Sequence, residues 1–181
     1  NIKRKILIVG AGIHGCFLAK YLSRKNYEIT IIDKNKDICM ETSAATHNRA
    51  NRGFHYPRSS KTTLECKLAY KYFEKNYRNF LKKNKSIYCI EKNSQISLNE
   101  YINFFKKNKL DYKLLKKSKY IKQDKIEGIL EVEEGCYDHK KIKKFLKKDF
   151  RKKNIKYFFN FYLKKIKFKN NSLILVSDKK K

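Results

Sequence analysis

Tryptophan is absent from this sequence, proline and methionine occur once each, and glycine occurs six times in 181 residues. No Pro/Gly/Ser-rich stretch separates one part of the chain from another, and no internal repeat is visible. The five cysteines (Cys16, Cys39, Cys66, Cys89, Cys136) are odd in number, widely spaced and without a C-x-x-C pair. That argues against a disulfide framework or a zinc site and for a reducing, cytoplasmic compartment. No apolar run reaches the length of a membrane span. The basic start, residues 1–5, followed by an apolar run, imitates a signal peptide, but glycines interrupt the run and no small-residue cleavage site follows. Acidic residues are scarce: 17 Asp and Glu face 46 Lys and Arg, a formal net charge of +29. This excess invites a nucleic-acid reading. The basic residues are overwhelmingly Lys, however, and spread over every segment. There is no recognition motif and no aromatic platform at a recognisable spacing, so we expect only weak, salt-sensitive attraction to polyanions and no specific nucleic-acid partner.

What is there begins with Ile6 to Val9, an apolar, β-branched run that reads as a buried parallel strand. Gly10, Gly12 and Gly15 follow in G-x-G-x-x-G spacing, and a helical pattern then begins, with Phe17, Leu18, Tyr21 and Leu22 on one face. A second strand, Tyr27 to Ile32, ends in Asp33. This strand–turn–helix–strand–acid order makes a glycine motif specific for a dinucleotide. Gly10 permits the sharp turn, Gly12 lets a pyrophosphate approach the backbone, and Gly15, with Ala19, lets helix and strand pack closely. The helix N-terminus offers N–H groups and partial positive charge to phosphate. Asp33 is placed to accept hydrogen bonds from a ribose diol, and its charge disfavours a 2′-phosphate.

Residues 34–60 read as mostly loop. The segment from Thr46 to Arg58 holds the only proline (Pro57), two of the four histidines (His47, His55) and three of the seven arginines (Arg49, Arg52, Arg58). In a chain that draws its charge from Lys, clustered Arg points to a need for a planar, bidentate donor. Gly53 points to an unusual backbone angle or a close approach. A loop Arg is ordinarily solvated and a loop His ordinarily caps or packs, but their conjunction after a dinucleotide motif makes this loop the candidate for chemistry.

Further along, Ser59 or Ser60 is expected to cap a helix over 61–83, with Leu64, Leu68, Tyr72, Phe73, Tyr77, Phe80 and Leu81 as its buried stripe. Strands are expected at 86–91, 110–115 and 126–133, and a helix at 98–107 with Tyr101, Ile102 and Phe105 inward. Asp138 is placed to cap a helix over 139–153, its buried face formed by Ile142, Phe145, Leu146 and Phe150 and its end by Asn154. His139 is expected to face solvent. Strands at 155–159, 164–168 and 173–176 precede a terminal turn over 177–181. Cys16 sits in the first helical turn, where a thiolate is stabilised, though a small packed side chain is its simpler role.

Gly10, Gly12, Gly15 and Ala19 with Asp33 and Lys34, then Thr42 and Ser43 and the loop Asn48–Arg49 through Gly53, Phe54, His55, Tyr56 and Pro57, resemble the FAD-dependent amino-acid oxidase family. The resemblance covers essentially the whole chain. It implies an α/β fold: a Rossmann-like FAD-binding domain carrying a partial, inserted α+β substrate lobe. The boundaries it implies are 1–85 for the first part of the FAD domain, 86–135 for the lobe and 136–181 for the return. It implies that Gly10, Gly12, Ile13, His14 and Gly15 hold the pyrophosphate and that Asp33 holds the adenosine ribose with Lys34 beside the adenine. Thr42, Ser43, Asn48 and Arg49 would run along the pyrophosphate and ribityl chain, Gly53 to Tyr56 would lie near the flavin, and the Leu163 backbone would touch the adenine. The implied reaction oxidises the CH–NH or CH–OH group of a small amino or 2-hydroxy acid by hydride transfer to FAD. Arg49, Arg52 or Arg58 would neutralise the substrate carboxylate, and His55 or Tyr56 would shape the site or handle a proton. The electron acceptor — oxygen, quinone or a carrier protein — is left open, and no metal is implied. Relatives run to roughly twice this length, so the sequence is expected to be a truncated or N-terminal portion that binds FAD weakly and turns over nothing by itself.

Two other readings stand beside this one. An NAD-dependent dehydrogenase uses the same glycine turn, but ordinarily continues from the acid with a regular helix and third strand, not a polar loop. A non-catalytic remnant or basic binding protein is consistent with the charge.

Overall fold

The structure, a computed structural model, describes residues 4–119, 121–170 and 172–178. In chain order its elements are β1 (Lys5–Val9), α1 (Ile13–Leu22), β2 (Glu28–Ile32), α2 (Thr42–Ala45), α3 (Ser60–Tyr77), β3 (Leu81–Lys82), β4 (Lys85–Glu91), α4 (Leu98–Lys107), β5 (Lys113–Leu115), β6 (Ile126–Glu133), β7 (Cys136–Tyr137), α5 (His139–Lys152), β8 (Lys156–Phe158), β9 (Tyr162–Lys169) and β10 (Ser172–Asp178). They divide into two compact units, one of Asn1–Thr46 with His139–Lys181 and the other of His47–Asp138. The segment 47–85, grouped by sequence with the cofactor fold, clusters with the residues after it.

The first unit is built on a parallel sheet in the order β1-β2-β8. β1 pairs with β2 from Lys5↔Glu28 to Val9↔Ile32, and β2 pairs with β8 at Ile31↔Tyr157. The β-branched run earns its place: Ile8, Ile29, Ile31 and Ile32 are all buried. In α1 the buried residues include Cys16 and Ala19, whereas Leu18 and Tyr21 of the face expected from sequence are exposed, because the helix turns its small residues to the sheet. Ile142, Leu146 and Phe150 of α5 recur at four-residue spacing on a buried face. Between α1 and α5, Lys20 Nζ meets Asp149 Oδ2 at 3.1 Å, both side chains largely buried. Lys20 also lies 4.8 Å from the Phe145 ring centroid. Asn154 adopts φ +51°, and the Ile155 N–H reaches back to the Phe150 carbonyl at 3.1 Å, the left-handed stop expected there. β9 and β10 form an antiparallel hairpin.

The second unit packs α4 on an antiparallel sheet in the order β4-β6-β5. Its core is Phe54, Ile90, Phe105, Leu110, Leu130 and Val132. Ser97 and Glu100 close a reciprocal capping box at the start of α4, which fixes this helix to its predicted bounds. β3 and β7 form a short antiparallel pair, and Arg49 makes an isolated bridge to Cys136.

Several expectations are corrected. The helix predicted over 61–83 ends at Tyr77, because Leu81 and Lys82 leave the helix to pair with Tyr137 and Cys136. Its predicted stripe holds at Phe73, Tyr77, Phe80 and Leu81, all partly buried, but is off by one position up to Tyr72. Leu64, Leu68 and Tyr72 are more than half exposed, while Thr63, Cys66, Tyr70, Phe73 and Tyr77 face inward. The inward set follows alternating three- and four-residue steps, whereas the Leu64–Leu68–Tyr72 row runs in fours. The loop over 34–60 contains α2. His139 is half-buried, not solvent-facing, with Nε2 3.3 Å from the Cys39 carbonyl. Ser177 and Asp178 continue β10 instead of turning, and the rest of the expected terminal turn, 179–181, lies outside the described residues. No helix among the described residues is long and apolar enough to cross a membrane.

Candidate functional site

The glycine turn is the junction of β1 and α1. Gly10 has φ +103°, a conformation that demands glycine. A Cβ on Gly15 would collide with the Gly10 carbonyl, a backbone atom that cannot give way, so packing alone explains that glycine. Gly12 is different. Its backbone, φ −64° and ψ 175°, suits any residue, and a Cβ there would meet nothing closer than Ser43 Oγ at 3.7 Å. Neither strain nor protein packing calls for glycine at this exposed position.

The surroundings are ordered around Gly12. Gly12 is the N-cap of α1 and supplies no side-chain cap, and the first turn carries no acid. The helix therefore keeps its positive end uncompensated by a carboxylate of its own. Ser43 of α2 accepts the Ile13 N–H on Oγ at 3.0 Å. His14 is exposed on the same turn. The Asp33 carboxylate turns toward the glycines: Oδ2 accepts the Ala11 N–H at 2.6 Å, and Oδ1 accepts the Asn35 backbone and side-chain N–H groups at 2.7 and 3.0 Å. An ionised carboxylate offers about four acceptor sites, so the half-buried Asp33 retains capacity for a ribose hydroxyl. The carbonyls of Asp33 and Asn35 accept from Phe161 and Asn160 at 2.9 and 3.0 Å. These bonds set the start of β9, with its half-buried Leu163, beside the acid turn. Lys34 is exposed and paired with Glu41 at 3.3 Å, and Thr42 is exposed at the start of α2.

Beneath this turn, Asp37 is held by Lys147 and Lys143 at 2.8 and 3.0 Å. Burial works against its charge, but the bonds from Lys147 and Lys143 outweigh burial and keep its carboxyl below the usual range. Cys16 is fully buried, and its thiol is pushed far up, first by the hydrogen bond to Cys39 and then by burial. The structure gives Cys16 the simpler role, a small packed side chain.

The remaining predicted residues, Asn48, Arg49, Gly53, His55 and Tyr56, belong to the second unit. Gly53 has φ +99°, and a Cβ there would lie 2.7 Å from Thr63 Cγ2 and 3.0 Å from the Thr63 carbonyl oxygen. Its close approach is to α3, reinforced by the Thr63 hydroxyl donating to the Gly53 carbonyl at 3.2 Å. Phe54 then drives into the core, its ring 5.4 Å from that of Phe105. Asn48, at φ +51°, offers its carbonyl to the Tyr137 N–H at 2.8 Å.

The three arginines divide. Arg52 is structural: Nη1 donates to the Glu133 carbonyl at 2.7 Å, and the guanidinium lies 5.1 and 5.9 Å from the Tyr70 and Phe54 ring centroids. Arg58 donates to Gln95 at 3.1 Å on the surface. Arg49 donates from Nη1 to the Tyr88 hydroxyl at 3.0 Å, and its Nε faces Glu134 Oε2 at 3.5 Å, yet its side chain remains 36% exposed. Tyr88 donates to Glu134 Oε2 at 2.6 Å, and Glu134 Oε1 accepts the Arg52 backbone N–H at 3.0 Å. Burial, then the bond to Glu134, pushes the Tyr88 hydroxyl well above the usual phenol range, so it remains a donor. The His55 ring lies 6.4 Å from Tyr88 and 5.6 Å from Tyr56. Arg49 and His55 thus lie beside Tyr88, with Tyr56 against His55; Tyr88 is a residue that sequence reasoning missed along with Glu134. Little in the sequence signals Glu134, one of four glutamates between positions 127 and 134. Among the described residues no group of three or more His, Cys, Asp and Glu is placed to hold a metal.

Over short segments the chain is 40% identical to a D-amino acid dehydrogenase of Neisseria meningitidis (53 residues, 29% of this chain and 13% of that protein). It is 33% identical to an FAD-dependent monooxygenase of Aspergillus flavus (73 residues, 40% and 17%). Among solved structures it superposes on the FAD-bound L-alpha-glycerophosphate oxidase of Mycoplasma pneumoniae with a TM-score of 0.74 at 19% identity, covering 99% of this chain and 51% of that one. It superposes on the glycine oxidase of Geobacillus kaustophilus with a TM-score of 0.69 at 12% identity, covering 96% and 51%. These likenesses show the fold, and the chain spans about half the length of those solved relatives. The family model for FAD dependent oxidoreductases (DAO) matches residues 5–180, and the chain belongs to that family.

Proposed function

We propose that this chain contributes the nucleotide-binding part of an FAD-dependent oxidoreductase that oxidises the CH–NH or CH–OH group of a small amino or 2-hydroxy acid. The observation that carries the reading is Gly12, a glycine required by neither backbone nor packing, beside an acid whose carboxylate is held on the same turn. In this reading Gly10, Gly12, Ile13, His14 and Gly15 line the pyrophosphate, with Ser43 fixing the first helical N–H and Thr42 next to it. Asp33 accepts from the ribose diol, and Lys34 and the Leu163 backbone flank the adenine. FAD, when bound, supplies the hydride acceptor.

Arg49 recognises the substrate carboxylate. Its guanidinium is oriented by Tyr88 and Glu134 while a third of the side chain stays open to solvent. This arrangement preorganises a bidentate donor at little entropic cost. His55, beside Tyr88, and Tyr56, against His55, are both exposed and shape the site or accept a proton from the amine or hydroxyl. Asn48 and Gly53 fix the loop that carries them. The names of the relatives, a D-amino acid dehydrogenase and a glycine oxidase among them, support an amino acid as substrate.

Anaerobic mixing of a flavin-loaded, full-length version of the protein with amino or 2-hydroxy acids tests this. The expected result is loss of the oxidised-flavin absorbance with at least one such acid, and a weaker response after Arg49→Met through a raised KM. A flavin that stays oxidised with every acid of both classes contradicts the reading.

A further inference from the structure

We propose that the outer face of α5 and the cavity beside it bind single-stranded nucleic acid without regard to base sequence, the phosphodiester backbone following a stripe of cations and one base entering against Tyr157 and Phe159. The stripe exceeds the chain's general bias. α5 carries eight Lys and Arg against one acid in 14 residues, where the whole chain carries 46 against 17. That acid, Asp149, is taken by Lys20 and Lys153 at 3.1 and 3.5 Å. Ile142, Leu146 and Phe150 are buried, so Lys140, Lys144, Lys148 and Arg151, all exposed, fall on the opposite face in steps of four, four and three residues. None of these four side chains has an ion pair or hydrogen bond among the described residues. Like charges at this spacing repel one another on a helix, and the protein supplies nothing to neutralise them. The row runs for roughly 16 Å, and flexible stems let each ammonium follow an irregular backbone.

Charge alone would hold any polyanion. The cavity narrows the choice. It measures about 190 Å³ and lies within the first unit at the C-terminal end of the stripe. Arg151 and Lys147 of α5, Lys36 of the loop after β2, and the rings of Phe150, Tyr157 and Phe159 line it. β8 is the outer strand of its sheet, and residues two apart on a strand share a face. The Tyr157 and Phe159 rings accordingly stack, their centroids 4.9 Å apart at 26°. Tyr157 stays 43% exposed. The pleat thus builds an aromatic platform that was not evident from the sequence. The acid of the cavity, Asp37, is held by Lys143 and Lys147 at 3.0 and 2.8 Å, which leaves Arg151 and Lys36 uncompensated.

Drug-sized ligands fill roughly 300–1,000 Å³, so this cavity takes one ring system. Every nucleobase has a π face to lay on an aromatic wall, and a guanidinium both stacks on a ring and pairs with phosphate. A duplex keeps its bases out of such a cavity, which selects a single strand. A lipid surface offers anions but no ring.

The test titrates the 181-residue protein into a short fluorescein-labelled oligothymidylate, followed by anisotropy over a series of KCl concentrations. Saturable binding is expected, with log Kobs falling linearly against log salt. Each phosphate neutralised on a single strand contributes about 0.7 to that slope, so Lys140→Gln, Lys144→Gln and Lys148→Gln together should flatten it by about 2. Gln retains helix propensity, and circular dichroism should be unchanged. A charge-matched variant of α3, with Lys61→Gln, Lys71→Gln and Lys75→Gln at exposed positions, should flatten it far less. Tyr157→Ala should weaken oligothymidylate binding about 10-fold, the stacking of one base, and leave the affinity for inorganic polyphosphate unchanged. Should Tyr157→Ala not fold, competition on the unmutated protein decides the matter: polyphosphate should displace the strand poorly at equal phosphate. Equal losses of slope in the two triple variants, polyphosphate competing as well as unlabelled oligothymidylate, or phosphatidylglycerol vesicles displacing the strand more readily than oligothymidylate does would each overturn the proposal.

Discussion

Replacing Asp33 with alanine is expected to weaken FAD binding by about 10-fold. One hydrogen bond from a ribose hydroxyl to the remaining acceptor site of the ionised carboxylate, worth roughly 1.5 kcal/mol net, sets that magnitude. The same substitution leaves the Ala11 N–H without its 2.6 Å partner and removes both anchors of Asn35. A half-buried orphaned donor costs about 1–2 kcal/mol of stability. The two effects separate by measurement. Urea unfolding reports the structural loss, and titration of FAD into protein that circular dichroism shows to be folded reports the binding loss. Asp33→Asn keeps an oxygen for Ala11 but gives up the charge, so it should fall between the parent and the alanine variant. An unchanged FAD affinity in folded Asp33→Ala protein would remove the ribose role from this residue.

The second large effect lies in the other unit. Glu134→Gln is expected to destabilise the protein by about 3 kcal/mol, the lower end of the range for breaking a buried ion pair. The lower end is appropriate because Arg49 keeps a third of its surface in water. The amide is nearly isosteric, yet it cannot replace the carboxylate. Oε1 accepts from the Arg52 backbone and Oε2 from Tyr88, with Arg49 facing the same oxygen. Whichever end the new NH₂ group takes, it points a donor at a donor. Arg49→Met in the same background should recover part of the loss, since the unpaired charge then disappears. Urea midpoints of the parent, the two single variants and the double variant give the coupling energy. Additive losses would show that Arg49 is not held by Glu134. The same variant bears on the substrate role: with Arg49 no longer oriented, KM for the acid should rise before kcat falls.

The first unit was legible because each of its signals is local. A β-branched run, three glycines in fixed spacing, a helical face and an acid at the end of the second strand lie within the first 33 residues. Each has one physical reading, and the capping box at Ser97 and the left-handed Asn154 were equally local. What sequence did not reveal depends on partners far away in the chain. The end of α3 is decided by Leu81 and Lys82 pairing with residues 56 and 54 positions later, at Tyr137 and Cys136. Whether Leu64 or Thr63 faces inward depends on Gly53, whose missing Cβ lets Thr63 seat against it. The arginine cluster was visible as a cluster, but its division was not. Arg52 is claimed by two rings and a carbonyl, and Arg49 by a tyrosine and a buried glutamate from β4 and the end of β6. Those partners lie 39 and 85 residues away from Arg49.

The claim on which the account rests is that the opening glycine turn holds the ADP portion of FAD. Equilibrium titration of the protein with FAD, followed by flavin fluorescence and repeated with ADP or with riboflavin as competitor, tests it most directly. The account predicts saturable FAD binding that ADP displaces and that riboflavin, lacking pyrophosphate and adenosine, displaces far less. FAD binding that ignores ADP, or a folded protein that binds no FAD, would contradict it.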